Sequence, residues 1–284
     1  MNRKIVVATL LFLTAAGVRA QERTQAPADI SRFYNATWGQ YQVLAQGSYA
    51  TAWQVNQFMN QMLGQYSRYF SNWSSKAGAR VIVFSNPSDF VAYATGIAPM
   101  HSGLAGYCHL KTDEAGNTFY ELVTFEHDNL FQVLAHEGFH QFLGYEMGLE
   151  VPTWLNEGLA QYFETSYVGN GRLHTGLVDK SKLRAAKYLI LSNRAPAIPD
   201  LLQMDRATFY SNAQVTYPMS WALVYYLVMR DNRDFGSSDF RHYLQDLKSN
   251  RDEIASFQRR FGRESIQWER DFVRYILRIL PPTE

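Results

Sequence analysis

The chain has 284 residues, 46% of them hydrophobic and 19% charged, with a formal net charge of +1. That composition excludes a disordered or low-complexity protein, and so small a charge provides no basic field for nucleic acid or an anionic membrane surface. Cys108 is the only cysteine, so no internal disulfide can form and the fold must rest on its core, with Cys108 itself read as a small buried residue.

The first twenty residues have the physics of a secretory signal. Arg3 and Lys4 are the charged start, Ile5 to Val18 the apolar stretch, and Val18-Arg19-Ala20 a small-residue cleavage site. The apolar stretch falls short of the ~20 residues needed to span a bilayer, so it reads as a cleaved signal rather than an anchor. No later segment approaches spanning length. Without Arg3, Lys4 and Arg19, the mature chain carries 24 basic against 26 acidic side chains. The expected location is therefore periplasmic or extracellular, after cleavage near Ala20. Residues 21–36, polar and bearing Pro27, read as a flexible leader, and 37–284 as one domain.

Within that domain, Tyr41 to Leu44 reads as a short strand. Ala50 to Phe70 reads as a helix whose apolar positions, from Ala52 and Trp53 to Leu63 and Tyr66, recur at helical spacing. Arg80 to Phe84 is a β-branched strand, and Asn86-Pro87-Ser88 a turn that opens a short helix bearing Phe90, Val91 and Tyr93. The runs GYCHL and FYELVTF flank a turn at Asp113 to Asn117, the pattern of a hairpin. Such a hairpin beside a functional helix could give a sheet edge to which an extended peptide adds, a role assigned here to the strand of Leu122 and Thr124. After Glu164 the chain is a helical tail: Ser181 to Leu191, Tyr217 to Arg230, Phe240 to Leu247 and Glu264 to Leu277, with Leu201, Leu202 and Phe209 in a connection. The expected class is α+β, a small mixed sheet over about 37–150 followed by a mainly helical half over about 151–284.

The chemistry lies between these halves. HEGFH, from His136 to His140, follows a helix start at Asn129, with Gly144 and Gly148 as candidate stops and Pro152 beyond. Residues four apart lie on one helix face, so His136 and His140 can share a single zinc ion, and Glu137 is placed to activate water. A third ligand is needed if one coordination position is to stay open. Glu157 is the candidate, on a second helix from Thr153, read as its cap, to Glu164. Gln161 and Asn156 are candidate partners for the histidine rings. His101, His109, His127, His174 and His242 read as ordinary polar or interface residues, with His109 and His127 the two placed for substrate contact.

HEGFH followed by NEGLA resembles the gluzincin group of zinc metallopeptidases. The run from VIVFSNPSDFVAYATG through WLNEGLAQYFE to TYPMSWALVYYL, roughly residues 40 to 230, is similar to a bacterial family of secreted, peptidase-MA-like domains. The resemblance implies a zincin-like fold with one Zn2+ per chain held by His136, His140 and Glu157. It also implies Glu137 as general base and a downstream tyrosine, best matched by Tyr217, donating to the oxyanion. Tyr225 and Tyr226 read as packing. The aminopeptidase branch's G-x-M-E-N-like segment is missing, GLAGYCHL being the nearest glycine-bearing stretch, which leaves exopeptidase action without support. The leading expectation is a zinc peptidase acting on a peptide or protein. The alternatives are a catalytically inactive binding or scaffolding protein, or an amidase on a non-peptide envelope substrate; oligomeric state is not legible.

Overall fold

The structure, a computed structural model, describes residues 29–69, 78–97, 105–113, 115–148, 151–170, 172–229, 238–249, 251–262 and 265–280. The expected signal segment, residues 21–28 of the leader, Phe70, His101 and Arg230 lie outside them. The class is α+β: a small mixed five-stranded sheet, a two-stranded sheet and, among the described residues, eleven α-helices. The chain divides into two compact units. One runs to Tyr145 and includes Tyr167–Leu173; the other comprises Glu146–Ser166 and the chain from His174 onward.

The first unit opens with a 3-10 turn at Ile30–Arg32 and strand β1, Tyr34–Trp38, which pairs antiparallel with β2, Tyr41–Ala45. Regular structure therefore begins inside the stretch expected to be a loose leader. Gly39, with φ +63°, takes the left-handed conformation that this tight turn requires. Helix α1, Tyr49–Tyr69, is fastened to that hairpin by one fully buried amide: Asn56 Nδ2 donates to the carbonyls of Ala36, Trp38 and Tyr41 at 3.3, 3.2 and 2.8 Å. Strand β3, Ala79–Phe84, leads to helix α2, Pro87–Ile97, whose start is capped by Asn86 Oδ1 accepting from the Asp89 N–H at 2.9 Å.

Strands β4, Gly106–Thr112, and β5, Thr118–Phe125, form the expected hairpin, closed by Asp113 Oδ1 accepting from Asn117 N–H at 2.8 Å. The sheet order is β1-β2-β3-β5-β4, with β2, β3 and β5 parallel and each outer strand antiparallel to its neighbour. The hairpin thus supplies an edge, but that edge is β4. Leu122 and Thr124 sit on β5, paired on both sides, because a parallel β3–β5 ladder occupies the side that a hairpin alone would leave open.

Alternation assigns the two faces of the sheet. Ile82, Phe84, Tyr107 and Val123 pack with Phe90 and Ala94 of α2 on one. The other carries Tyr41, Gly106 and Tyr120 and meets helix α3, Leu130–Met147. Helix α4, Thr153–Glu164, belongs to the second unit, as do α5, Lys180–Leu191, and two short helices, α6, Ile198–Leu202, and α7, Arg206–Ser211. These are followed by α8, Ala213–Met229, α9, Ser238–Lys248, α10, Glu253–Phe261, and α11, Ser265–Arg278. Strands β6, Tyr167–Gly169, and β7, Arg172–His174, form the small second sheet. Tyr225 and Tyr226 are packing residues, against Trp221 and Tyr162, and against Trp268, Phe272 and Tyr275, respectively.

Candidate metal centre

Three contacts seat α3. Tyr66 of α1 donates its hydroxyl to the Ala135 carbonyl at 2.7 Å, and Tyr41 of β2 donates to Gln141 Oε1 at 2.9 Å. Gly138, in the middle of HEGFH, lies where a Cβ would come 2.7 Å from the Met59 methyl, so the flexible end of that α1 side chain fills the space the glycine leaves. Gly144, expected as a stop, is inside the helix and makes room for the Tyr120 ring; Gly148, with φ +74°, is the residue at which α3 ends. At the other end His127 Nδ1 accepts from the Asn129 N–H at 3.2 Å. Burial lowers the His127 pKa, against the pull of Asp128, which favours the neutral ring that can accept. His127 thus serves the start of the helix.

On α3, His136, Glu137 and His140 are all buried, and the two imidazole centroids lie 4.7 Å apart, as helical spacing requires. In the second unit α4 begins at Thr153, the residue expected to be its cap. Pro152 is the cap residue, with its carbonyl accepting from Leu155 and Asn156, while Thr153 is already helical. Gly158 lets α8 come close, since a Cβ there would lie 2.6 Å from the Ser220 carbonyl oxygen. Its neighbour Glu157 is fully buried. Trp154 anchors the start of α4, stacking on Tyr243 and donating its indole N–H to Glu253 Oε1 at 2.8 Å.

His136, His140 and Glu157 each offer a ligand atom, and those atoms all lie within 4.8 Å of one another. Among the described residues, no other group of three histidines, cysteines or carboxylates is brought together in this way. Two imidazole nitrogens and a carboxylate oxygen are a borderline donor set that fits a transition-metal dication better than calcium or magnesium, which favour oxygen alone.

A residue not singled out in the sequence touches this set. The Tyr210 hydroxyl on α7 donates to Glu157 Oε1 at 2.8 Å. Burial and the neighbouring carboxylate push this phenol well above the ordinary tyrosine range, against the nearby Arg206 guanidinium, so it stays a donor. Tyr217 is half-buried on α8, which begins at Ala213, four residues before the expected start, and carries Pro218 inside it. Its ring lies 5.8 Å from that of Phe209 and 6.4 Å from that of Tyr210. Gln161 Nε2 donates to the Glu157 backbone carbonyl at 3.1 Å, and its Oε1 makes no hydrogen bond, so neither atom serves a histidine ring.

His109 is placed away from α3. It alternates with Gly106 and Cys108 and so lies on the α2 face, where its Nε2 is 3.1 Å from Glu121 Oε1. Burial raises the Glu121 pKa, but His109 and Lys111 outweigh it and hold the carboxyl below its ordinary range. Tyr93 donates to the same carboxylate at 3.0 Å, so the cluster is satisfied internally. His174 and His242 are exposed, and Cys108 is buried and free, as expected.

No helix among the described residues is long and apolar enough to cross a membrane. Comparison with curated proteins gives no match. Residues 123–253, from within β5 to the start of α10, match a protein-family model described as "Protein of unknown function (DUF1570)", a stretch containing His136, Glu137, His140, Glu157, Tyr210 and Tyr217.

Proposed function

We propose that the chain is an exported zinc-dependent peptidase with Glu137 as its general base. The observation that supports this best is the buried His136–His140–Glu157 donor set, with a fourth ionisable side chain, Glu137, between the histidines on the same helix. A purely structural zinc more often takes cysteine ligands or closes its fourth position, and has no use for a carboxylate in that place. Zinc held by this set would supply a Lewis acid that brings the pKa of water to roughly 7 and polarises a carbonyl oxygen.

The chain's own side chains carry the protons. The Glu137 carboxylate accepts one from the attacking water and delivers it to the amine nitrogen as the C–N bond breaks. The Tyr217 hydroxyl donates to the oxyanion, the role implied by the resemblance. An extended peptide adds along the outer edge of β4, where backbone groups have no strand partner among the described residues.

The test is to measure metal content and peptide-library cleavage for the mature protein and for Glu137→Gln. Both are expected to hold one zinc per chain, with only the parent cleaving. A parent that binds zinc stoichiometrically and cleaves neither peptides nor envelope amides would favour the binding-protein alternative.

A further inference from the structure

Tyr210 occupies a position for which the proposed chemistry has no assigned group. It sits on α7, a six-residue helix begun by Asp205, whose Oδ1 accepts from the Thr208 N–H at 3.0 Å and whose Oδ2 accepts from the Thr208 hydroxyl at 2.6 Å. The adjacent Phe209 is fully buried, and Thr216 of α8 donates its hydroxyl to the Phe209 carbonyl at 2.9 Å. The Tyr210 ring is flanked by Phe209 and Tyr217, with the Arg206 guanidinium over it at 5.5 Å from the centroid. A short, doubly anchored helix therefore aims one phenol at one carboxylate oxygen.

We infer that Tyr210 is a positioning residue for the metal ligand Glu157. Its hydroxyl, bonded to Oε1, fixes the carboxylate's rotation and limits it to a one-oxygen ligand. This deepens the zinc reading and rests on it. A carboxylate released from such a bond can swing or bind through both oxygens, which raises the coordination number and occupies the position needed for water. Outer hydrogen bonds of this kind typically contribute about 10–100-fold to metal affinity.

The experiment uses full-length mature protein, stripped of metal and titrated with zinc against a chromophoric chelator, and with Co2+ for its visible absorption spectrum. Tyr210→Phe is expected to bind zinc about 10–100-fold more weakly and to show a weaker, shifted Co2+ d–d band. Tyr225→Phe, which removes a hydroxyl from a packing tyrosine on α8, is the control expected to match the parent in both. The metal-free melting temperature of each variant separates a lost fold from a lost contact. If Tyr210→Phe melts early, Arg206→Ala, which keeps the phenol but takes away the guanidinium that lies over its ring and bonds its hydroxyl, replaces it and is expected to shift the Co2+ band in the same sense. A parent that binds zinc tightly, with Tyr210→Phe equal in affinity and spectrum, overturns the role of Tyr210 alone. A parent that binds no zinc, or binds it equally after His136→Ala, overturns the zinc reading as well.

Discussion

Gly158, beside the candidate ligand Glu157, offers a test of how tightly α4 is seated, with Gly64 as its control. Both are helix-interior glycines, where alanine is favoured by about 0.8–1.0 kcal/mol on propensity alone. At Gly64 on α1 a Cβ would meet nothing within 4 Å, so Gly64→Ala should stabilise by about that amount. At Gly158 the Cβ would stand 2.6 Å from the Ser220 carbonyl oxygen and 2.7 Å from Val224 Cγ2, while ordinary contact begins at 3.4 Å. The shortfall, about 0.8 Å, falls on backbone that cannot rotate away, so α4 and α8 must move apart. Such overpacking costs typically about 1–3 kcal/mol. Propensity cancels between the two variants, so Gly158→Ala should be less stable than Gly64→Ala by about 1–3 kcal/mol in denaturant unfolding. Because Glu157 moves with α4, zinc affinity should fall in Gly158→Ala and not in Gly64→Ala. Equal stability of the two variants would refute the close α4–α8 approach on which the placement of Glu157 is argued.

Two further predictions concern single side chains. Burial raises the Glu253 pKa to about 7, against the Trp154 indole N–H and with help from Asp252. Between the ordinary carboxylate value and about 7 the folded state binds more protons than the unfolded one, so stability falls as pH rises through that window. Glu253→Gln, which keeps an acceptor for Trp154, should remove the fall and be more stable above pH 7 by at most about 3 kcal/mol; parallel pH–stability curves would contradict this. Tyr217→Phe should lower turnover while leaving zinc bound, and an unchanged rate would remove Tyr217 from the mechanism.

The candidate site was legible because its signal is local. His136 and His140 are one helical turn apart, and Glu157 follows within a capped, amphipathic neighbour, so spacing alone put three donors in reach. The β4–β5 hairpin and β3 were legible by alternation and β-branching. Strand β1 was not read, although Tyr34, Ala36 and Trp38 alternate with Asn35 and Thr37 ahead of the Gly39-Gln40 turn, because most of it falls in the stretch that polar composition and Pro27 mark as a leader. Helix α10 carried its own signals, Asp252 as cap, Arg259 and Arg260 in the last turn and Gly262 after it, but its apolar stripe is thin. Tyr210 could not be read from its surroundings. It lies 53 residues from Glu157 on a helix too short to show a period, and one tyrosine among 18 carries no mark of its partner.

The most direct test of the whole is anomalous diffraction from crystals of the zinc-loaded protein, recorded on both sides of the zinc absorption edge. The expected result is one peak about 2.0–2.2 Å from a nitrogen each of His136 and His140 and an oxygen of Glu157, with a non-protein ligand completing the shell. A peak elsewhere, no peak, or a fourth side chain closing the shell would contradict a hydrolytic metal centre in this protein.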